Sequence, residues 1–419
     1  KIGYVLSAAG ASVGLGNIWR FPYLAAKYGG GIFLLVYIIL ALTFGYTMIV
    51  AESALGRMTR KSPVGAFRSF AKGKKVGWLS FGGWINAIIP VLIVPYYSVI
   101  GGWVVKYLFE YIRGNGSKLA EDGYFSGFIS NGGATEICFV IFCLFTLVII
   151  YAGVQNGIER VSKIMMPILI VLSVIIAIYS VTRPGAIEGV KYFLVPNVKN
   201  FSWMTVVAAM GQMFYSLSIA MGILVTFGSY MRKDTSIEDS TRNVEIFDTA
   251  IAMMAGLMII PAVFAFSGGD PDTLQAGPSL MFITIPKVFA NMGFGTAVGI
   301  LFFVLVLFAA VTSSIALTES AVSTFEDELG WGRKKATVLT GVIMIALGTL
   351  SCLGYGPLDF VKIIGMQFLD FFDFLTNSVM MPIAALMTSL LVSRVIGVDK
   401  IEEEIRHGES AFRRKKIFV

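Results

Sequence analysis

Residues that soluble enzymes depend on are scarce in this 419-residue chain, which has one histidine, His407, and three cysteines. Cys138, Cys143 and Cys352 show no metal-ligand spacing and read as small apolar fillers. With no His/Cys cluster and no nucleophile–base pairing in view, an enzyme has little support. Charge is scarce too: Asp, Glu, Lys and Arg make up 14% of the chain, against roughly a quarter in a typical soluble protein. Hydrophobic residues account for 56%, and the mean hydropathy is +0.78. An ordinary soluble domain is thereby excluded.

The charge that is present is placed unevenly. A net charge of +7 could suggest nucleic acid, but the basic residues cluster between hydrophobic runs. Arg57, Arg60, Lys61, Arg68, Lys72, Lys74 and Lys75 share one loop, Arg333 to Lys335 another, and Arg413 to Lys416 the end. This is the positive-inside pattern, which makes those loops cytoplasmic and the partner a lipid bilayer rather than nucleic acid. Spanning segments are expected at about 2–27, 31–56, 78–111, 136–153, 162–182, 203–231, 243–267, 294–325, 336–354 and 369–396. Ten spans put both ends of that portion on the cytoplasmic side of the cell's inner (plasma) membrane.

Residues 10–22 read Gly-Ala-Ser-Val-Gly-Leu-Gly-Asn-Ile-Trp-Arg-Phe-Pro within the first span. Gly10, Gly14 and Gly16 weaken a helix where it crosses the bilayer, and Asn17 and Arg20 add costly polar groups there. Irregular backbone at that depth is tolerated only inside protein or beside a cavity, where freed N–H and C=O groups can hold a substrate or ions. The sixth span has a matching interruption, Ser216-Leu217-Ser218-Ile219-Ala220-Met221-Gly222. An odd number of spans per half turns the second half upside down, so paired breaks point to a mid-membrane site rather than to small-residue packing. The halves are 1–183 and 203–396, joined by an outer connection at 184–202 and followed by a basic tail at 397–419. The chain begins on Lys1 rather than Met, and Ile417-Phe418-Val419 are expected to open a further span. The segment after Gly268-Gly269-Asp270-Pro271 is expected to fold over the entrance.

In the first break, the N–H groups of Leu15 and Gly16 suit a carboxylate. Freed carbonyls near Gly10, Ser12 and Val13 suit a hard cation such as Na⁺, and Asn17 adds a side-chain oxygen. From Gly10 to Pro22 the chain resembles the first helix of the neurotransmitter:sodium symporter family. Gly29-Gly30-Gly31, Glu52 with Gly56-Arg57, Tyr96-Tyr97, Gln212 to Ser218 and Thr312-Ser313-Ser314 extend the resemblance in order over nearly the whole chain.

That resemblance implies an all-α integral membrane protein of the leucine-transporter type, with two inverted repeats of five helices. It implies Na⁺-driven symport by alternating access, with two ions. One cage would use the Gly10, Val13 and Ala309 carbonyls with the Thr312 and Ser313 hydroxyls. The other would use the Ser12 carbonyl, Asn17, Ser216, Asp248 and the substrate carboxylate. The family usually has Asn at this point of span seven. Counting forward from Arg232-Lys233-Asp234 puts Asp248 there, whereas counting back from Pro261 gives Phe247, which cannot coordinate an ion; the chemistry selects Asp248. A fixed carboxylate would supply the negative charge that Cl⁻ supplies in animal members, so no chloride requirement is expected.

The implied substrate pocket comprises Ser12, Leu15, Gly16, Ile93, Tyr97, Tyr215, Ser216, Ser218, Met221, Ser313 and Leu317. Gly14, which is an aspartate in monoamine carriers, leaves room for a carboxylate, and Ala220 trims the pocket. The apolar lining favours a neutral, apolar L-amino acid. Arg20 is expected to pair with Asp373, with Asp370 a near alternative; Tyr97 would cap the carboxylate and Tyr215 would form a lid. Tyr230 and Asp327 resemble the inner closing network, and Glu52 is expected to be structural. A membrane amino-acid sensor with the same pocket and no net transport is the alternative. Oligomeric state stays open.

Overall fold

The computed structural model describes residues 12–71, 77–269 and 279–419. Regular structure there is helical, apart from a single bridge between Ile363 and Met366. Eight helices are long and apolar enough to cross a membrane: Gly31–Thr59, Gly77–Ile112, Gly132–Tyr151, Val154–Val181, Ile237–Ser267, Gly295–Leu329, Arg333–Leu353 and Phe368–Ile396. The two remaining expected spans are the broken ones. The first bends at Val13 and Gly14, then runs outward as π-helical Gly16–Arg20 and α-helical Phe21–Lys27. The sixth is split into Trp203–Ser216 and Ile223–Tyr230.

Several helices start earlier than hydropathy indicates. Val154–Val181 opens on a π-turn holding Gln155, Asn156 and Glu159, polar residues that mask its beginning. Gly132–Tyr151 is started by Asn131, whose side chain accepts the Ala134 N–H at 3.1 Å. Outward faces are apolar, as lipid contact requires: Ile137, Val148 and Val338 are each more than 60% exposed. Of the segment expected over the entrance, 270–278 lies outside the described residues. The stretch after it, Leu280–Ala290, is a short apolar helix packed inward, with Phe282 O accepting from Tyr107 at 2.8 Å.

The break in span six has a definite shape. Ser218, Ala220 and Gly222 take φ of 55°, 60° and 70°, so left-handed residues alternate through it. Two of the three carry a Cβ and are disfavoured there, so neighbouring elements must hold them. The Ala220 N–H donates to Glu52 Oε1 at 2.8 Å from span two, and Glu52 is completely buried. Below the break, Gly228 lets the inner half of span six touch span two, since a Cβ there would lie 3.0 Å from Ser53 Cα.

One basic residue assigned to a cytoplasmic loop is instead interior. Arg57 is fully buried, with Nε 2.6 Å from Glu404 Oε1 and Nη1 2.6 Å from Thr235 O. Its burial is tolerable because the planar fork finds an acceptor at each of its nitrogens. Glu404 lies on Val398–Arg406, so the clamp ties the tail to the inner end of span two.

Glu52→Leu is expected to lower unfolding free energy by about 1–3 kcal/mol, because it strands the buried Ala220 N–H. Glu52→Gln keeps an acceptor and should cost less. Thermal unfolding of the two variants in one detergent tests the order.

Candidate functional site

The two breaks line one cavity. All eleven residues expected to line a substrate pocket enclose one cavity of about 30 Å³: Ser12, Leu15, Gly16, Ile93, Tyr97, Tyr215, Ser216, Ser218, Met221, Ser313 and Leu317. Gly14, Asn17 and Ile223 complete the wall. Tyr97 reaches the first break from span three, its hydroxyl oxygen accepting the Leu15 N–H at 3.2 Å. Gly16 is needed for close approach, since a Cβ there would lie 2.6 Å from Tyr215 Cε1. Its carbonyl accepts from Gln212 Nε2 at 3.1 Å, which joins the outer halves of the two broken spans.

Asp248 is fully buried at the centre of a polar cluster. Asn17 Nδ2 donates to its Oδ1 at 2.9 Å, the Ser216 hydroxyl donates to the same oxygen, and the Tyr37 hydroxyl donates to Oδ2. Among the described residues no Lys or Arg forms an ion pair with it. Phe247, the other alignment, is half-buried and has no polar group to offer. Asn17 turns its amide oxygen to the Gly14 N–H at 3.0 Å, and a second lone pair remains on that oxygen.

A second cluster consists of oxygens alone. Val13 O accepts from Thr312 Oγ1 at 3.4 Å and from Ser313 Oγ at 3.1 Å, and Thr312 Oγ1 lies 3.1 Å from Ala309 O. Ligands about 2.4 Å from one hard cation, roughly at right angles, lie about 3.4 Å apart. These spacings and donor types therefore fit a cation such as Na⁺. Gly10, expected to join this group, lies outside the described residues.

The outer gate differs from expectation. Arg20 does not pair with Asp373 or Asp370: among the described residues, no ion pair within 4.0 Å joins it to either. Its guanidinium lies over the Tyr215 ring, 5.1 Å from the centroid. Asp373 is engaged by the Tyr96 hydroxyl at 3.1 Å and by Asn377 Nδ2 at 2.5 Å. Arg20, Tyr215, Asp370 and Asp373 nevertheless line one outer cavity of about 320 Å³.

On the opposite side, Tyr230 and Asp327 are engaged separately. The Tyr230 hydroxyl donates to Glu319 Oε1 at 2.6 Å, and Arg333 reaches both oxygens of Glu319, Nη1 lying 3.0 Å from Oε1. Asp327 accepts the Ser62 N–H at the start of Pro63–Ala71. Sequence reasoning missed Glu319 with Arg333, and also Tyr37 and Ile223. A tyrosine hydroxyl at mid-span needs a partner when buried, and that was the available sign for Tyr37.

A profile of the sodium:neurotransmitter symporter family matches residues 1–117 and 124–418. An uncharacterized sodium-dependent transporter of Bacillus subtilis, YhdH, is 36% identical over 98% of this chain and 90% of its own length. The human sodium- and chloride-dependent GABA transporter 2 is 27% identical over 97% of this chain and 74% of its own. Among solved structures, that of MhsT in complex with L-phenylalanine superposes with a TM-score of 0.89 at 37% identity, covering 100% of this chain and 94% of the other.

Tyr37→Phe removes one donor from the buried Asp248 carboxylate and is expected to lower unfolding free energy by about 1.5–3 kcal/mol. Phe247→Leu, outside the cluster, should cost less. Chemical or thermal denaturation of the two proteins side by side gives the comparison.

Proposed function

Because the chain belongs to the sodium:neurotransmitter symporter family, we propose that its cavity carries a neutral, apolar L-amino acid into the cell with two Na⁺ ions and no chloride. Sodium-coupled amino-acid symport by a multi-pass membrane protein, not catalysis, is the activity of such a chain. The observation that carries the finer reading is Asp248: a fully buried carboxylate between two broken helices, paired with no Lys or Arg among the described residues. A buried charge is costly unless compensated, and a cation beside it provides the compensation.

In this reading Asp248, Asn17, Ser216 and the Ser12 carbonyl hold one Na⁺, completed by the substrate carboxylate, while Val13, Ala309, Thr312, Ser313 and Gly10 hold the other. Leu15 and Gly16 N–H groups and the Tyr97 hydroxyl receive the carboxylate. Sharing that carboxylate links substrate and ion binding thermodynamically. Ile93, Met221, Ile223 and Leu317 receive an apolar side chain, and the L-phenylalanine held by MhsT supports that class. Met221 gives the small cavity some adaptability. Arg20, Tyr215 and Asp373 close the outer side and Tyr230 and Asp327 the inner side. The basic loops support an inner-membrane protein with both ends of the ten-span portion cytoplasmic.

Uptake of labelled amino acids into proteoliposomes with and without a Na⁺ gradient tests the reading. Uptake should require Na⁺, and both Asn17→Ala and the double variant Thr312→Ala/Ser313→Ala should raise the Na⁺ concentration needed, since hydrocarbon cannot replace lost oxygens around a desolvated cation. Unchanged Na⁺ dependence in these variants would refute the cation-site assignment, and binding without flux would mark a sensor.

Chloride gives an independent measurement. Two Na⁺ and a zwitterion leave two positive charges, of which ionised Asp248 neutralises one without a mobile anion. Uptake should persist when gluconate replaces Cl⁻, and Asp248→Asn should weaken transport in gluconate. Strong chloride stimulation of the unmutated protein would show that Asp248 does not substitute for the anion.

A further inference from the structure

At one end of the helix pair Gly132–Tyr151 and Arg333–Leu353 a groove of about 520 Å³ opens on the surface of the protein. Tyr151, Trp331, Lys334 and Lys335 surround its mouth, and Val338, Leu339 and Val342 continue it along the second helix. Val338 and Val342 are each 61% exposed. From Lys334 to Val342 the groove follows eight residues of helix, a rise of about 12 Å.

The three neighbouring basic residues are not equivalent. Arg333 is committed to buried Glu319 and to Ile150 O. Lys334 lies over the Tyr151 ring, 5.6 Å from its centroid, and among the described residues neither Lys334 nor Lys335 forms an ion pair. Nearby carboxylates are engaged elsewhere: Glu328 with Arg68 at 2.7 Å, and Glu326 with Arg333 at 3.9 Å. Two uncompensated ammonium groups thus stand over an apolar trough, flanked by a tyrosine and a tryptophan of the kind that settle at the headgroup level.

We propose that this groove binds one anionic phospholipid of the surrounding bilayer. The phosphate lies between Lys334 and Lys335, and an acyl chain follows Val338, Leu339 and Val342. A water-soluble anion would leave the trough uncovered, and a zwitterionic lipid would leave the two charges uncompensated. Basic pockets beside spanning helices are suited to anionic headgroups for that reason. The orientation proposed above decides only the leaflet, which is the cytoplasmic one; the site itself does not depend on the transport reading.

The test is native mass spectrometry of the purified full chain, titrated with phosphatidylglycerol or phosphatidylcholine. The unaltered protein should retain phosphatidylglycerol roughly twenty-five-fold better, a factor of about five for each of the two lysines. Lys334→Gln/Lys335→Gln should abolish the preference. Val338→Trp, which fills the trough and leaves the charges in place, should reduce phosphatidylglycerol retention. Thermal unfolding confirms that these surface variants are folded. Equal retention of the two lipids, or a preference untouched by the lysine changes, overturns the proposal. So does a lipid-free dimer that Val338→Trp dissociates, which would assign the groove to a second copy of the chain.

Discussion

Hydrocarbon supplies no hydrogen bonds, so a backbone group freed inside the bilayer must find its partner within the protein. The rest of this structure depends on that constraint. Two helices break within the bundle, and each break draws polar side chains toward it from other spans. Glu52 meets the Ala220 N–H from span two, Tyr97 meets Leu15 from span three, and Gln212 bridges from one broken helix to the other. A lone glutamate or glutamine in such a span is expensive; here each has an assigned backbone atom. The polar inventory of the membrane interior is thus largely an inventory of what two missing helical turns require.

Asp248 belongs to a different class, because it answers charge rather than backbone. Asn17, Ser216 and Tyr37 all donate to its oxygens, and among the described residues no Lys or Arg forms an ion pair with it. Arg57 offers the contrast. It is equally buried, yet Glu404 neutralises it within the chain. One buried charge is neutralised within the chain and ties the tail to span two; in the reading proposed above, the other is neutralised by a bound Na⁺. That difference in ion pairing, rather than burial, sets the two residues apart.

Much of this was legible beforehand. Glycines and polar residues inside two apolar runs marked the breaks, and every residue expected in the pocket lines one cavity. Asp248, preferred to Phe247 on chemical grounds, lies against Asn17 and Ser216, the side chains expected beside it. What the sequence hid had physical reasons. Arg57 read as a loop cation because periodicity cannot reveal a partner 347 residues away. Arg20 was given a carboxylate, but the Tyr215 face took it while Tyr96 and Asn377 occupied Asp373. Tyr37 was lost in an apolar run where only its hydroxyl departs from the pattern. The starts at Gly132 and Val154 were obscured by polar first turns that hydropathy discounts.

A continuous helix is a stiff rod that carries a twist from one end to the other through its ladder of hydrogen bonds. Span six has lost that ladder between Ser216 and Ile223, and span one bends at Val13 and Gly14 against the same cavity. Below the break in span six, Gly228 seats the inner segment against Ser53, while Gln212 couples the outer segments of both helices. In span six no unbroken ladder of helical hydrogen bonds links the outer segment to the inner one. For span six the consequence is two short segments that meet at the cavity wall, each seated on a different neighbour.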